Sequence, residues 1–394
     1  VDSSLHQLEI RQREITGSGM PFGLQIMLTC LPACIHNDDP LNILDLDNAF
    51  NVIKERLNRD NYIEGLIEKH LINNPHKLNY SLVPDTEFNR RNEEAIVKKV
   101  HQKTESLTVD DKNKIVALAE DLEKRQERID DPEILPKVTK EDIPLSRNYP
   151  NPNISLVNNI ENYFYKSGTN GLVYHSMLFP CEALTIDELK IASLFTSSLT
   201  DIGLGSDSYE DVQKYQSSIT GGISASFTMI PNKGDSEHKL ALKISGKSLE
   251  KNAHLMQDLM IRTVQEANFG EHQRIQELLS FISADNEQSL TQNGHVLAMA
   301  NAASQLTEVA STNDLTSGIR FINNTGLLSK NISDEGSLDI YIKNLKSIQS
   351  KISLTPKNIF TASSLNQDEM DLKSFSGLNA ADVDEQNFIK VQDK

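Results

Sequence analysis

The chain has 394 residues, a net charge of -17 and 38% hydrophobic residues, and its mean hydropathy is -0.41. At roughly 150 residues per domain this length suggests two or three domains. The acidic balance opposes nucleic acid and anionic lipid as partners, and no apolar run approaches the roughly 20 residues that span a bilayer. Three cysteines, Cys30, Cys34 and Cys181, are too few for a disulfide framework and read as reduced thiols. The chain opens on Val1 with no initiator methionine or export signal, so the sequence reads as a piece of a longer protein, soluble and cytoplasmic.

The first section, residues 1–86, opens with an alternation around Leu8 and Ile10 that predicts a strand over residues 6–13. Helices are predicted from Phe22 to Leu31, with Pro32 ending or kinking the first, then from Leu44 to Leu57 and from Tyr62 to Leu71. Leu78, Tyr80 and Leu82 alternate over residues 76–83 before Pro84 and Asp85, which predicts a strand. Residues 87–131 are densely charged and lack glycine and proline, as expected of two solvated helices in a hairpin whose arms pack on each other. Ile96, Val97 and Val100 stripe one arm; Ile115, Leu118 and Leu122 stripe the other, and residues 107–111 turn the chain and cap the second helix. Residues 132–153 form an extended, proline-rich linker.

Residues 154–394 read as a second globular section. A strand is predicted at 172–179, helices at 186–200 and 209–218, and a hairpin whose strands carry Ile223, Ala225, Phe227 and Met229, then Leu240, Leu242 and Ile244, around a turn at 231–234. Helices fill most of 249–350, and a strand at 358–362 precedes a final helix. The fold class that follows is α+β: antiparallel sheets with helices packed on one face, plus the charged hairpin.

Candidate chemistry is sparse. Ala241 to Ser248 nearly spells a phosphate loop, but Ala241 replaces its first glycine and the stretch alternates as a strand. His70 and His76 straddle a helix break, and His36 with Asp38 and Asp39 reads as plain loop, so neither group makes a metal site. No H-x-x-E-H occurs at any of the ten histidines and no G-x-S-x-G elbow surrounds Ser224 or Ser226. Cys181 reads as a buried structural thiol, Gly221-Gly222 as a special backbone site or a close helix approach, and Gly294-His295 as a helix kink. The residues therefore assign no catalytic, metal or cofactor site, and the substrate-binding residues stay unknown.

Read together, ordered landmarks resemble the presequence-peptidase branch of the insulinase-type, or pitrilysin, zinc metallopeptidases. They are His6-Gln-Leu-Glu-Ile10, Gly23-Leu24, Asn73-Asn74-Pro75-His76, Val83-Pro84-Asp85 and Lys124-Arg125-Gln126-Glu127; then Asp131-Pro132-Glu133, Leu135-Pro136, Asp142-Ile143-Pro144, Thr220 to Ser224, Gly246-Lys247-Ser248 and Gly294-His295. The resemblance implies a parent of four related α+β domains in two bowl-shaped halves that close over unfolded peptides. Its zinc ligands lie on an inverted H-x-x-E-H motif in the first domain, outside this chain. Residues 1–86 would then end the second domain, 87–131 form the helical hairpin, 132–153 the linker and 154–394 the third domain. The expected role is a non-catalytic chamber and hinge segment, inactive alone, with the remaining domains of the same polypeptide and unfolded, cationic peptides as partners. The alternative is a stand-alone inactive scaffold or peptide-binding protein of the same architecture.

Overall fold

A computed structural model describes residues 2–15, 19–59, 61–129, 131–146, 149–231, 238–332, 334–370, 375 and 378. Its contacts divide the chain into two units, one of residues 1–51 with 150–394 and one of residues 52–149.

The first unit is built on one six-stranded sheet, ordered β1-β2-β6-β3-β5-β4. The strands are β1 (Asn153–Val157), β2 (Ile160–Lys166), β3 (Leu172–Pro180), β4 (Ile223–Pro231), β5 (His238–Leu249) and β6 (Asn358–Ser363). The α+β class of the sequence holds, with one difference: β2 and β6 pair in parallel, so the sheet is mixed and not purely antiparallel. The β4–β5 hairpin is in the expected place, with Phe227 opposite Leu242; most of its turn lies outside the described residues. Along β5, Leu240, Leu242 and Ile244 enter the main core, while Lys243, Ser245 and Lys247 face the other side half-buried.

Helices α8 (Ile186–Leu199), α9 (Tyr209–Ile219), α10 (Ala253–Gln265), α11 (His272–Ala303), α12 (Glu308–Ser317), α13 (Ile319–Asn331) and α14 (Glu335–Ser350) complete this unit after the first strands. Thr185 and Glu188 form a capping box at the start of α8, and Glu188 also takes Lys351 Nζ at 2.6 Å, which ties that helix to the end of α14. Phe195 of α8 stacks between Phe227 and Phe269 with centroids at 6.1 and 5.5 Å, so an aromatic ladder joins helix to sheet. Helix α11 bends at Asn293, where φ is -113° and ψ 15°, one residue before the Gly294-His295 pair expected to kink it. Beyond β6 the described residues show a short 3-10 turn at Gln367–Glu369; the expected final helix lies outside them.

The unit begins with α1 (Asp2–Arg13), where the sequence predicts a strand. An eight-residue stretch whose only alternating aliphatics are Leu8 and Ile10 fits either period, and the ends decide. Asp2 sits in the first turn, Arg11 and Arg13 in the last, and Arg13 pairs with Glu9 at i,i+4, all of which favour helix. It is followed by α2 (Phe22–Ile35), α3 (Leu41–Leu44) and α4 (Leu46–Leu57), the last of which continues into the second unit. Pro32 lies inside α2 and does not end it.

In the second unit α5 (Tyr62–Ile67) runs into a π turn at Glu68–Ile72, followed by α6 (Phe88–Glu105) and α7 (Val109–Glu127). Residues 76–83, predicted as a strand, form none, and no backbone hydrogen bond joins them to another described strand. Helices α6 and α7 match the predicted pair, but their arms do not pack on each other: Val97 is 67% exposed and Leu118 71%. The stripes are too thin to outweigh the cost of ordering the charged side chains around them. Thr108 caps α7 through a reciprocal box with Asp111, whose carboxyl it holds below its ordinary range through side-chain and backbone hydrogen bonds. Thr108→Ala removes that acceptor, and a roughly fivefold fall in the α7 helix–coil constant is expected, read by residue-level amide exchange.

Candidate functional site

The outer face of the sheet, opposite the core, carries a row of hydroxyls. Ser176 on β3 is opposite Ser245 on β5, which is opposite Ser224 on β4, and the Ser176 and Ser245 Oγ atoms are 2.9 Å apart. With Tyr174, Lys247 and the Gly221-Gly222 pair these residues line a shallow groove of about 380 Å³. Gly222 needs its glycine for backbone reasons, with φ at 112°. Gly221 needs it for space: a Cβ there would lie 2.7 Å from Ile10 Cγ2 and 3.0 Å from Lys247 Cγ.

Lys247 is held by both oxygens of Glu14 at 2.6 and 2.7 Å. Burial, followed by the charge of Glu14, raises the Tyr174 phenol above its ordinary range, so it stays a neutral hydrogen-bonding group. The serines bond to each other and to backbone, and among the described residues no histidine or carboxylate base is bonded to them, so the pairing that activates a serine nucleophile is not formed there.

The residues weighed in the sequence fall elsewhere or into structural roles. Ala241 to Ser248 continues β5; at Gly246 a Cβ would meet Met256 Sδ at 3.0 Å, so that glycine serves the approach of α10. Asp38 and Asp39 accept from backbone amides in the turn after His36. His70 and His76 bracket a turn built by Asn74, whose side chain bonds the His70 carbonyl and the His76 amide. Burial pushes the Cys181 thiol up to about 12, leaving no thiolate at neutral pH. Among the described residues no three His, Cys, Asp or Glu side chains converge to hold a metal ion.

Glu14, Tyr174 and Ser176 escaped the sequence reading, and Ser245 and Lys247 entered it only within the phosphate-loop candidate, because a helix and two strands bring these residues together only in the fold. The buried His175 escaped it too. Its Nδ1 lies 2.9 Å from Thr361 Oγ1 and its Nε2 2.8 Å from Gln257 Nε2, between the sheet and α10.

Residues 82–327 match the sequence profile of the family described as Peptidase M-16C associated. The chain is similar to presequence protease 1 of Arabidopsis thaliana, described as chloroplastic/mitochondrial, at 25% identity over 85% of the chain and 32% of that protein. It is also similar to the mitochondrial presequence protease of Yarrowia lipolytica, at 26% over 91% and 36%, and to that of Danio rerio, at 25% over 81% and 31%. The chain thus spans about a third of the length of these relatives. No described helix is long and apolar enough to cross a membrane.

Proposed function

The chain belongs to this peptidase-associated family, and from that premise we propose that it is the non-catalytic chamber and hinge section of a longer zinc metallopeptidase that degrades unfolded peptides. The observation that carries this reading is the state of residues 76–83. Leu78, Tyr80 and Leu82 alternate as a one-sided strand does, yet they are 86, 78 and 84% exposed and have no strand beside them among the described residues. A strand pattern of this kind is stable only when its apolar face and backbone groups are covered by a sheet. The apolar helix α2 is uncovered in the same way, with Met27 56% and Ile35 64% exposed. Both features fit a section that ends the parent's second α+β domain, over residues 1–86, with the rest of that domain supplied by polypeptide outside this chain.

In this reading residues 87–131 form the hinge, 132–153 the extended linker and 154–394 the third domain. The sparse apolar surface of α6 and α7 supports the hinge, since little contact energy opposes opening. The net charge of -17 favours cationic peptides in the enclosed space. Zinc is proposed to be held by residues outside the chain, and the chain alone to cleave nothing. The parent is proposed to work as a soluble enzyme; the names of the relatives place them in mitochondria or chloroplasts, not the cytoplasm.

The test is amide exchange on the same residues in two contexts. Residues 77–83 are expected to exchange within seconds in this chain and at least a hundredfold more slowly in the longer parent. Equal exchange in both would show that no outside sheet receives the segment. Cleavage of a basic peptide by the purified chain, with zinc added, would independently remove the non-catalytic assignment.

A further inference from the structure

Helix α1 lies on the outer face of the sheet, held there chiefly by its own side chains. Ile10 is 2% exposed and packs on Leu172, Leu249 and Tyr174. Leu172 and Leu249 point away from the main core, and Ile10 is the residue that joins them in a separate buried cluster. One turn earlier, Gln7 Nε2 donates to the carbonyls of Ser217 and Thr220, both at 2.6 Å. These are carbonyls at the C-terminal end of α9, where no intrahelical donor reaches them. One turn later, Glu14 takes Lys247, and Asn170 Nδ2 donates to the Arg13 carbonyl at 3.1 Å.

We propose that the surface formed by β3, β5, the end of α9 and Gly221 is a helix-docking groove whose occupant is the chain's own residues 2–14. It reads Gln7, Ile10 and Glu14 at i, i+3 and i+7, the spacing of anchors in helix-in-groove recognition. Three chemistries are matched at three depths: an amide for helix-end carbonyls, a branched aliphatic for an apolar floor, and a carboxylate for Lys247. Gly221 sets the specificity, because any side chain there would occupy the space of Ile10 Cγ2. The bound helix also closes one end of the hydroxyl-lined groove and neutralises Lys247. This inference stands on the packing of α1 alone and is independent of the peptidase reading.

Two experiments on the full chain test it. By exchange mass spectrometry, amides of residues 6–13 are expected to exchange at least tenfold more slowly than in a synthetic peptide of residues 2–14, independently of protein concentration. Gly221→Val is expected to bring them to the peptide rate while β3 and β5 stay protected. In the second experiment the groove is emptied with Ile10→Asp, and a fluorescein-labelled peptide of residues 2–14 is added. The variant is expected to bind it saturably and at least tenfold more tightly than the wild-type chain, whereas the same peptide carrying the Ile10→Asp change is expected not to bind. Peptide-like exchange in the wild type, or a peptide that does not distinguish variant from wild type, overturns the proposal. Protection that grows with protein concentration overturns the assignment of the occupant and gives the groove to α1 of a second copy. Should Gly221→Val unfold the sheet as well, the peptide experiment decides.

Discussion

Asp314→Ala is expected to lower the unfolding free energy of the first unit by about 3 kcal/mol, the low end of what breaking a buried ion pair costs. The Asp314 side chain is fully buried, with 0% exposure, at the junction of α12 and α13. Its carboxylate takes Arg320 Nε at 2.6 Å, the Ile319 backbone N–H at 3.0 Å and Asn301 Nδ2 at 3.1 Å, so three elements converge on one group. Removing it strands a backbone donor at the start of α13 and leaves the guanidinium without its buried partner. Arg320 keeps 30% of its side chain in solvent and also donates to Ser311, which is why the low end of the range applies. Gly318 belongs to the same arrangement, since a Cβ there would fall 2.1 Å from Asp314 Oδ1. Urea unfolding of the variant reads the loss directly. A cost below about 1 kcal/mol would mean that water replaces the carboxylate and that the junction is looser than its geometry.

Local signals explain what the sequence made legible. The β4–β5 hairpin, α8, α9, the pair α6 and α7 and the last strand each announce themselves by a periodicity carried within their own residues. Strands β1 and β2 were missed, and so was the turn between them, where Asn158 and Asn159 adopt φ of 48° and 65°, the left-handed pair that Asn-Asn tolerates. The alternation on β2 is hidden because Asn162 takes an inward position between Ile160 and Phe164, 1% exposed. Its parallel pairing with β6 joins residues nearly 200 positions apart, and no local pattern encodes that choice. The strands predicted over 6–13 and 76–83 failed for opposite reasons. In the first, end charges and a docking groove selected helix over a short alternation. In the second the pattern is strong, and what is missing is a neighbour. The groove itself could not be read in advance, since serine and tyrosine on a strand's outer face are ordinary until a helix places Glu14 beside Lys247.

The pH dependence of stability supplies the other large effect, and it comes from His175. The ring is 1% exposed, and burial lowers its pKa from 6.5 to about 4. The groups around it from each packed element are uncharged: Gly246 on β5, Gln257 on α10 and Thr361 on β6. Gln257 donates to Nε2, so Nδ1 carries the hydrogen that is given to Thr361 Oγ1. The Gln257 Oε1 atom has no hydrogen-bond partner among the described residues, and rotation of the amide would present it to a protonated Nε2. Protonation therefore need not break the hydrogen bond; its cost is the burial of a charge. Above pH 6.5 the ring is neutral in both folded and unfolded chains and its contribution is complete. As pH falls from 6.5 toward 4 the unfolded chain takes up the proton first, so most of the stability is lost across that window and the loss levels off below it. The expected loss is about 1.4 kcal/mol at pH 5.5 and about 3 kcal/mol at pH 4. Urea unfolding of wild type and His175→Gln at about pH 7.5, 5.5 and 4 isolates the effect, because glutamine keeps hydrogen-bonding capacity without titrating. The two curves are expected to converge by these amounts as pH falls; parallel curves would place the acid sensitivity elsewhere and leave His175 as packing alone.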